Sequence, residues 1–209
     1  MNEKKVLVKL AGAIVLLAVL AVSACVEGKE AEDTQDVVVT GQTTEDRGGY
    51  NGQIIAGLTV TGQATEYRSG DDGTHQAGLS FDYTDNGDGT VTDNNTGLMW
   101  AADGNSAGCN NGNNLNWNDA IDWANELNFA GYTDWRLPNM KELFSLVKFE
   151  ESAPYIDSTY FPNTGNIYWT STTYAPHTGG AMNVSFSYGS VDPSPKANGY
   201  RVRAVRGGP

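Results

Sequence analysis

Apolar and polar positions fall into three regimes along the 209 residues. Leu10 to Val22 is an uncharged, almost wholly apolar run of 13 residues. Residues 26–36 (VEGKEAEDTQD) are acidic and lack large apolar groups, as a solvated spacer does. From Phe81 onward the apolar positions become periodic. Asn-Gly, Asp-Gly and Asn-Asn-Thr-Gly surround Thr90-Val91-Thr92, which predicts a hairpin, with Leu98-Met99-Trp100 as the next strand. Trp117, Ala120, Ile121, Ala124 and Leu127 make one helical face behind an Asn116 cap, with Asp119 three residues on. Met140, Leu143, Phe144 and Val147 form the stripe of a second helix, capped by Asn139 with Glu142 at its third position. Tyr168–Thr172 is β-prone. Met182, Val184, Phe186 and Tyr188 alternate with polar residues as a half-buried strand does, and so do Tyr200, Val202 and Ala204 with Arg201 and Arg203. Two helices followed by an antiparallel sheet predict an α+β domain.

The first regime bears on location. Lys4, Lys5 and Lys9 precede the apolar run, which as a helix would span roughly 20 Å, short of a bilayer core of about 30 Å. That length fits the core of a signal peptide over residues 1–24. The run ends Val22-Ser23-Ala24-Cys25, which resembles the bacterial lipobox. The resemblance implies cleavage before Cys25, lipid on its thiol and a membrane as its partner. Val26, in place of an aspartate, implies the outer membrane. The chain is thus expected in the cell envelope, lipid-anchored.

Between spacer and domain the sequence is duplicated. Residues 39–58 (VTGQTTEDRGGYNGQIIAGL) align without gaps on residues 60–79 (VTGQATEYRSGDDGTHQAGL), two copies where a solenoid needs more. Both are expected to be short extended arms, the second packing on the domain. The expected organisation is signal peptide 1–24, acidic tether with the first copy 25–57, second copy and lead-in 58–80, and domain 81–209.

Charge narrows the partners. Residues 1–24 hold three lysines and one glutamate; without them the 13 basic and 25 acidic residues become 10 and 24, a formal charge of −14. Nucleic acid is excluded as a general partner. Arg201, Arg203 and Arg206 are close in sequence, either as a local basic patch or as partners of surplus carboxylates. With Cys25 lipidated, Cys109 is left unpaired in the Gly/Asn-rich stretch 102–116.

The motif positions resemble one family. Asp85-Asn86-Gly87-Asp88-Gly89-Thr90-Val91-Thr92-Asp93, Thr96-Gly97-Leu98-Met99-Trp100, Asp134-Trp135-Arg136-Leu137-Pro138-Asn139, Tyr160-Phe161-Pro162-Asn163, Trp169-Thr170-Ser171 and Gly199-Tyr200-Arg201-Val202-Arg203 are similar to the Lcl C-terminal domain family, over roughly residues 80–208. The resemblance implies a C-type-lectin-like fold related to the formylglycine-generating sulfatase-modifying enzymes, with N- and C-terminal strands together and a long loop region free for ligands. The family's namesake binds sulfated glycans; the charge of −14 departs from that.

Candidate chemistry is sparse. Asp85, Asp88 and Asp93, with Asp82, could offer oxygens to Ca²⁺, the one cofactor considered, although a hairpin explains the same residues without metal. Trp117-Asn118-Asp119 resembles a lectin calcium motif but stands at a helix start, where capping accounts for it. His75 and His177 are far apart and neither has zinc-like ligand spacing, so no catalytic residue is expected and the chain is not expected to be an enzyme. Tyr174, Tyr188 and Asn183 are the expected ligand residues, with segments 102–116, 174–181 and 189–198 converging on one face. The expectation is a non-catalytic envelope module binding a glycan or an envelope or host protein; the alternative is a structural lipoprotein acting by protein–protein assembly.

Overall fold

The computed structural model describes residues 58–207, together with Lys9–Leu10 (β1) and Ala13–Ile14 (β2). Those two short strands pair antiparallel, Lys9 opposite Ile14, within a first unit, residues 1–41. All that follows concerns the second unit, residues 42–209. The expected cleavage site at Cys25, the spacer and the first repeat copy up to residue 57 lie outside the described residues. Among the described residues no helix is long and apolar enough to cross a membrane.

The second repeat copy is not an extended arm. Its ends close on each other, Val60 N donating to Leu79 O (2.9 Å) and Leu79 N to Leu58 O (2.7 Å). Asp71 holds the interior. One carboxylate oxygen accepts from Tyr67 N, Arg68 N and Gln63 Nε2, and the other caps the single turn α1 (Asp72–His75) at Thr74 N. The Tyr67 amide leads the donors that keep this carboxyl below its usual range. The closed loop docks on the domain: Phe149 N donates to Thr61 O (3.0 Å), and Glu150 accepts from Ala64 N and Thr65 N. Gly62, at φ +88°, permits that approach, since a Cβ there would stand 2.9 Å from Lys148 Cγ.

The domain opens with the expected hairpin, β3 (Tyr83–Asp85) and β4 (Thr90–Asp93), joined through a tight turn and followed by β5 (Leu98–Ala101). Helix α2 (Trp117–Glu126) starts where Asn116 accepts from Asp119 N, and buries Ala120 and Ala124. Helix α3 (Met140–Phe144) starts with a full capping box between Asn139 and Glu142. It is barely over one turn long, so the expected stripe breaks down. Leu143 and Val147 are buried, Leu146 joins them after the chain bends, and Phe144 is left facing outward.

Strands β6 (Ile167–Thr173), β7 (Gly180–Ser185) and β8 (Ser190–Pro195) form an antiparallel three-stranded sheet with β7 in the middle. The alternation expected for 182–188 does not hold. Asn183 and Ser185 are as buried as Val184 and Phe186, because a central strand is covered on both faces. Strand β8 occupies much of the segment expected as loop 189–198. Its prolines face no partner problem, since β8 is an edge strand.

The last strand, β9 (Val205–Gly207), returns to pair with β5, completing the four-stranded order β3-β4-β5-β9. The architecture is α+β. The two sheets enclose a core of Val91, Trp100, Leu143, Tyr168, Phe186 and Val205, while Ala120 and Ala124 of α2 pack on Trp169 and Val202.

Arg203 departs from the expected outward alternation. It is 0 % exposed, donates to the carbonyls of Ala101 and Ala102 and to Thr164 Oγ1 (2.8 Å), and lies near the rings of Phe161 and Tyr168. Arg206 instead holds Asp134 through two oxygens (2.7 and 3.0 Å) over the Tyr132 ring, and Arg201 reaches Asn105. The three arginines do not form a basic patch. Cys109 is likewise core, not a loop leftover: it is free and fully buried, and that burial pushes its thiol up despite Arg203 nearby.

Candidate functional site

The three-stranded sheet has two ends, and the chain treats them differently. At the Thr173–Gly180–Pro195 end, three segments distant in sequence meet. The tight turn between β6 and β7 is held by Tyr174 N to Gly180 O (3.0 Å), His177 N to Tyr174 O (3.1 Å) and Gly180 N to His177 O (2.8 Å), which sets the Tyr174 and His177 rings 5.9 Å apart. Leaving β8, Lys196 N donates to Gly179 O, and Lys196 O accepts from Trp117 N at the start of α2. Trp117 is fixed by its own Nε1, which donates to Thr170 O (2.8 Å). The Lys196 ammonium then stands 3.8 Å from the centre of the Trp117 ring and donates to Thr173 Oγ1 (3.1 Å).

Tyr200 completes this end. Its backbone exchanges hydrogen bonds with Leu115, its ring lies 4.7 Å from that of Trp169, and its hydroxyl meets Ser194 Oγ and Asn198 Nδ2. Trp117, Tyr174, Lys196 and Tyr200 are all half-buried, whereas His177 and Asn198 are exposed. Among the described residues Lys196 makes no ion pair. The arrangement offers aromatic faces, hydroxyl and amide edges, and one cation held by a ring instead of a carboxylate. Such a surface suits a neutral or weakly anionic hydroxyl-rich ligand.

The expected ligand residues separate. Tyr174 belongs to this end. Tyr188 lies in the turn between β7 and β8 at the opposite end, the length of a six-residue strand away, on the order of 20 Å. Asn183 sits between them, buried, its amide donating to Asp192 O (2.7 Å) and Ser194 Oγ (3.1 Å). Its position in a central strand, where sheet partners use the side-chain amide, removes it from any exposed face. Of the three segments expected to converge, 102–116 contributes Leu115, 174–181 contributes its whole turn, and 189–198 contributes Ser194 and the exit from β8. The middle of 102–116 folds inward as two 3-10 turns within Ala107–Gly112, broken at Cys109–Asn111, and buries Cys109.

The acidic candidates each serve their own turn. Asp85 accepts from Gly87 N, Asp88 from Thr90 N and Oγ1, and Asp93 from Asn95 N and Thr96 Oγ1. Asp93 stands at the other end of β4 from the first two, so the three carboxylates do not converge. Among the described residues no three His, Cys, Asp or Glu side chains are grouped so as to hold a metal ion.

Trp117, Lys196 and Tyr200 escaped the sequence analysis as site residues, Trp117 and Tyr200 because their spacing reads as packing. Lys196 carried a usable signal: no other Lys or Arg lies between Phe149 and Tyr200.

Comparison with known proteins agrees with the motif pattern. The family model of the Lcl C-terminal domain matches residues 89–206, more than half of the chain. No curated protein matches it.

Proposed function

The chain belongs to the Lcl C-terminal domain family, and from that premise we propose that it is a non-enzymatic binding module held at the outer membrane by lipid on Cys25. Its ligand is a glycan or a glycan-bearing envelope or host protein, taken at the Trp117–Tyr174–Lys196–Tyr200 end of the three-stranded sheet. A C-type-lectin-like fold fits this reading. It is supported by the pairing of β9 with β5, which brings the domain's last strand beside its opening ones and leaves the smaller sheet to present loops.

The observation that carries the proposal is the placement of that end relative to Leu58, where the described second unit begins. The described chain enters at Leu58 and docks through Thr61 on Phe149. From there a run of backbone hydrogen bonds, Lys148 N to Tyr155 O, Tyr155 N to Phe186 O and Phe186 N to Asn166 O, leads to the Ile167–Ser185–Ser190 end of the sheet. The described chain thus begins near one end of the sheet, and the aromatic and polar residues sit at the other.

The test is a glycan array probed with the full protein in detergent, with and without a calcium chelator. Binding that persists in chelator and is lost in Tyr174→Ala and Lys196→Met is the expected result. Silence across the array, with capture of one envelope protein by the same preparation, would replace this reading with protein–protein assembly.

A further inference from the structure

Asparagine followed by glycine is a chemically labile pair, because glycine has no side chain to shield its backbone nitrogen from the carboxamide beside it. Three such pairs lie among the described residues, Asn86-Gly87, Asn111-Gly112 and Asn198-Gly199; a fourth, Asn51-Gly52, lies outside them. The fold treats the three differently. We infer that Asn198 is a site of spontaneous deamidation, and that the modification turns a neutral amide at the Lys196–Tyr200 surface into a carboxylate.

Two of the pairs are locked. The Asn86 amide donates to Thr90 Oγ1 (2.9 Å) and Thr92 Oγ1 (3.0 Å), and Gly87 N donates to Asp85 Oδ1 (2.9 Å), so both reacting groups are engaged inside the β3–β4 turn. Asn111 is fixed in the left-handed region at φ +51°, its own N donating to Ser106 O (2.8 Å). Gly112 is wedged so tightly that a Cβ there would lie 2.6 Å from Asn105 Oδ1 and 3.0 Å from Arg201 Nη1, which leaves the Asn111–Gly112 peptide no room to turn onto the carboxamide. The third pair is open. Asn198 and Gly199 are both exposed, in the segment between β8 and Tyr200. Among the described residues Gly199 N donates no hydrogen bond, and the Asn198 amide holds only Tyr200 Oη, at 3.2 Å. Once hydroxide takes its proton, Gly199 N attacks Cγ of Asn198. The N–Cγ bond forms, the Cγ–Nδ2 bond breaks, and Nδ2 leaves as ammonia with a proton from water. Another water opens the cyclic imide at either carbonyl, leaving aspartate or isoaspartate. The product reverses a hydrogen bond. An amide that donated to Tyr200 Oη becomes a carboxylate that accepts from that hydroxyl, with its negative charge two residues from Lys196.

Peptide mapping by mass spectrometry, on the full protein held in detergent at mildly alkaline pH, tests this. The peptide holding Asn198 should gain one mass unit with first-order kinetics, its product divided between aspartate and isoaspartate. Over the same interval the peptides holding Asn86 and Asn111 should stay unchanged, whereas in urea all three should convert, because the fold makes the choice. Gly199→Ala should slow conversion at Asn198 several-fold. That variant is expected to fold with an unchanged melting temperature, since its Cβ meets only Asn114 Cβ, at an ordinary 3.5 Å. Neither readout involves a ligand. An Asn198 that stays intact in the folded protein while converting in urea overturns the proposal. So does conversion of Asn86 or Asn111 at the rate of Asn198, since the lability would then come from the dipeptide alone.

Discussion

At the Thr173–Gly180–Pro195 end of the three-stranded sheet, exposed polar groups and half-buried rings are fixed by specific hydrogen bonds: Trp117 to Thr170, Lys196 to Thr173, Tyr200 to Ser194. At the Ile167–Ser185–Ser190 end, the exposed large side chains are Tyr188 and Phe149, the latter tilted against Tyr155 and closely approached by Gly189. The same three strands support both. The difference teaches where a small sheet can carry recognition. An end held in place by polar contacts is preorganised for a ligand, while an end with rings left free of polar anchors is less precisely shaped.

Arg203 is fully buried against Tyr168 of this sheet, and removing it is the severest way to break the comparison. Arg203 ties the end of β5 to Thr164 while lying against Phe161 and Tyr168. Arg203→Ala leaves a cavity and two carbonyls without this donor, with an expected loss of about 3–5 kcal/mol. Urea unfolding followed by tryptophan fluorescence and by far-ultraviolet circular dichroism should show one earlier, coincident transition. Separate transitions would mean that the ends belong to independent units.

What could be read from sequence divides along physical lines. Both helix starts were legible because capping is local: Asn116 with Asp119, and Asn139 with Glu142, need only neighbours three residues away. The β3–β4 hairpin was legible for the same reason, its Asp-Asn-Gly-Asp-Gly turn closing over a few residues. Long-range contacts hid the rest. Strand β8, written Ser-Val-Asp-Pro-Ser-Pro, has the composition of a loop and is a strand only because β7 pairs with it along six residues. Asn183 and Arg203 sit at positions where alternation predicts exposure, and both are buried by elements that periodicity cannot place. The acceptor role of Asp71 was invisible until the second repeat closed around it. The site suffered most, since Trp117, Tyr174 and Lys196 meet only in the folded domain.

A milder pair of substitutions separates the ends. Trp117→Ala removes the ring under Lys196 and the bond to Thr170, with an expected loss of about 2 kcal/mol. Gly189→Ala places a Cβ against Phe149 at φ +63°, with an expected loss of about 1–2 kcal/mol. Stability is read by urea unfolding, and locality by footprinting. The first should raise labelling at Tyr174 and leave Phe149 unchanged, and the second the reverse. If either change spreads to the other end, the strands transmit strain, and the two surfaces cannot be treated separately.

The smallest effect on stability discriminates best. Lys196→Met keeps an apolar side chain over Trp117 and loses the charge, so the cation–ring attraction, about 0.5–1 kcal/mol at a partly exposed site, is the main stability cost. The melting temperature should fall by only a few degrees. If this end binds the ligand, affinity falls well beyond what that small cost explains, because Lys196 makes no ion pair among the described residues and its cation is available to an incoming group. Tyr188→Ser, at the other end, should leave affinity unchanged. The opposite pattern, with binding indifferent to Lys196 and lost with Tyr188, would exchange the roles of the two ends. The exposed apolar surface around Phe149 and Tyr188 would then be the binding surface.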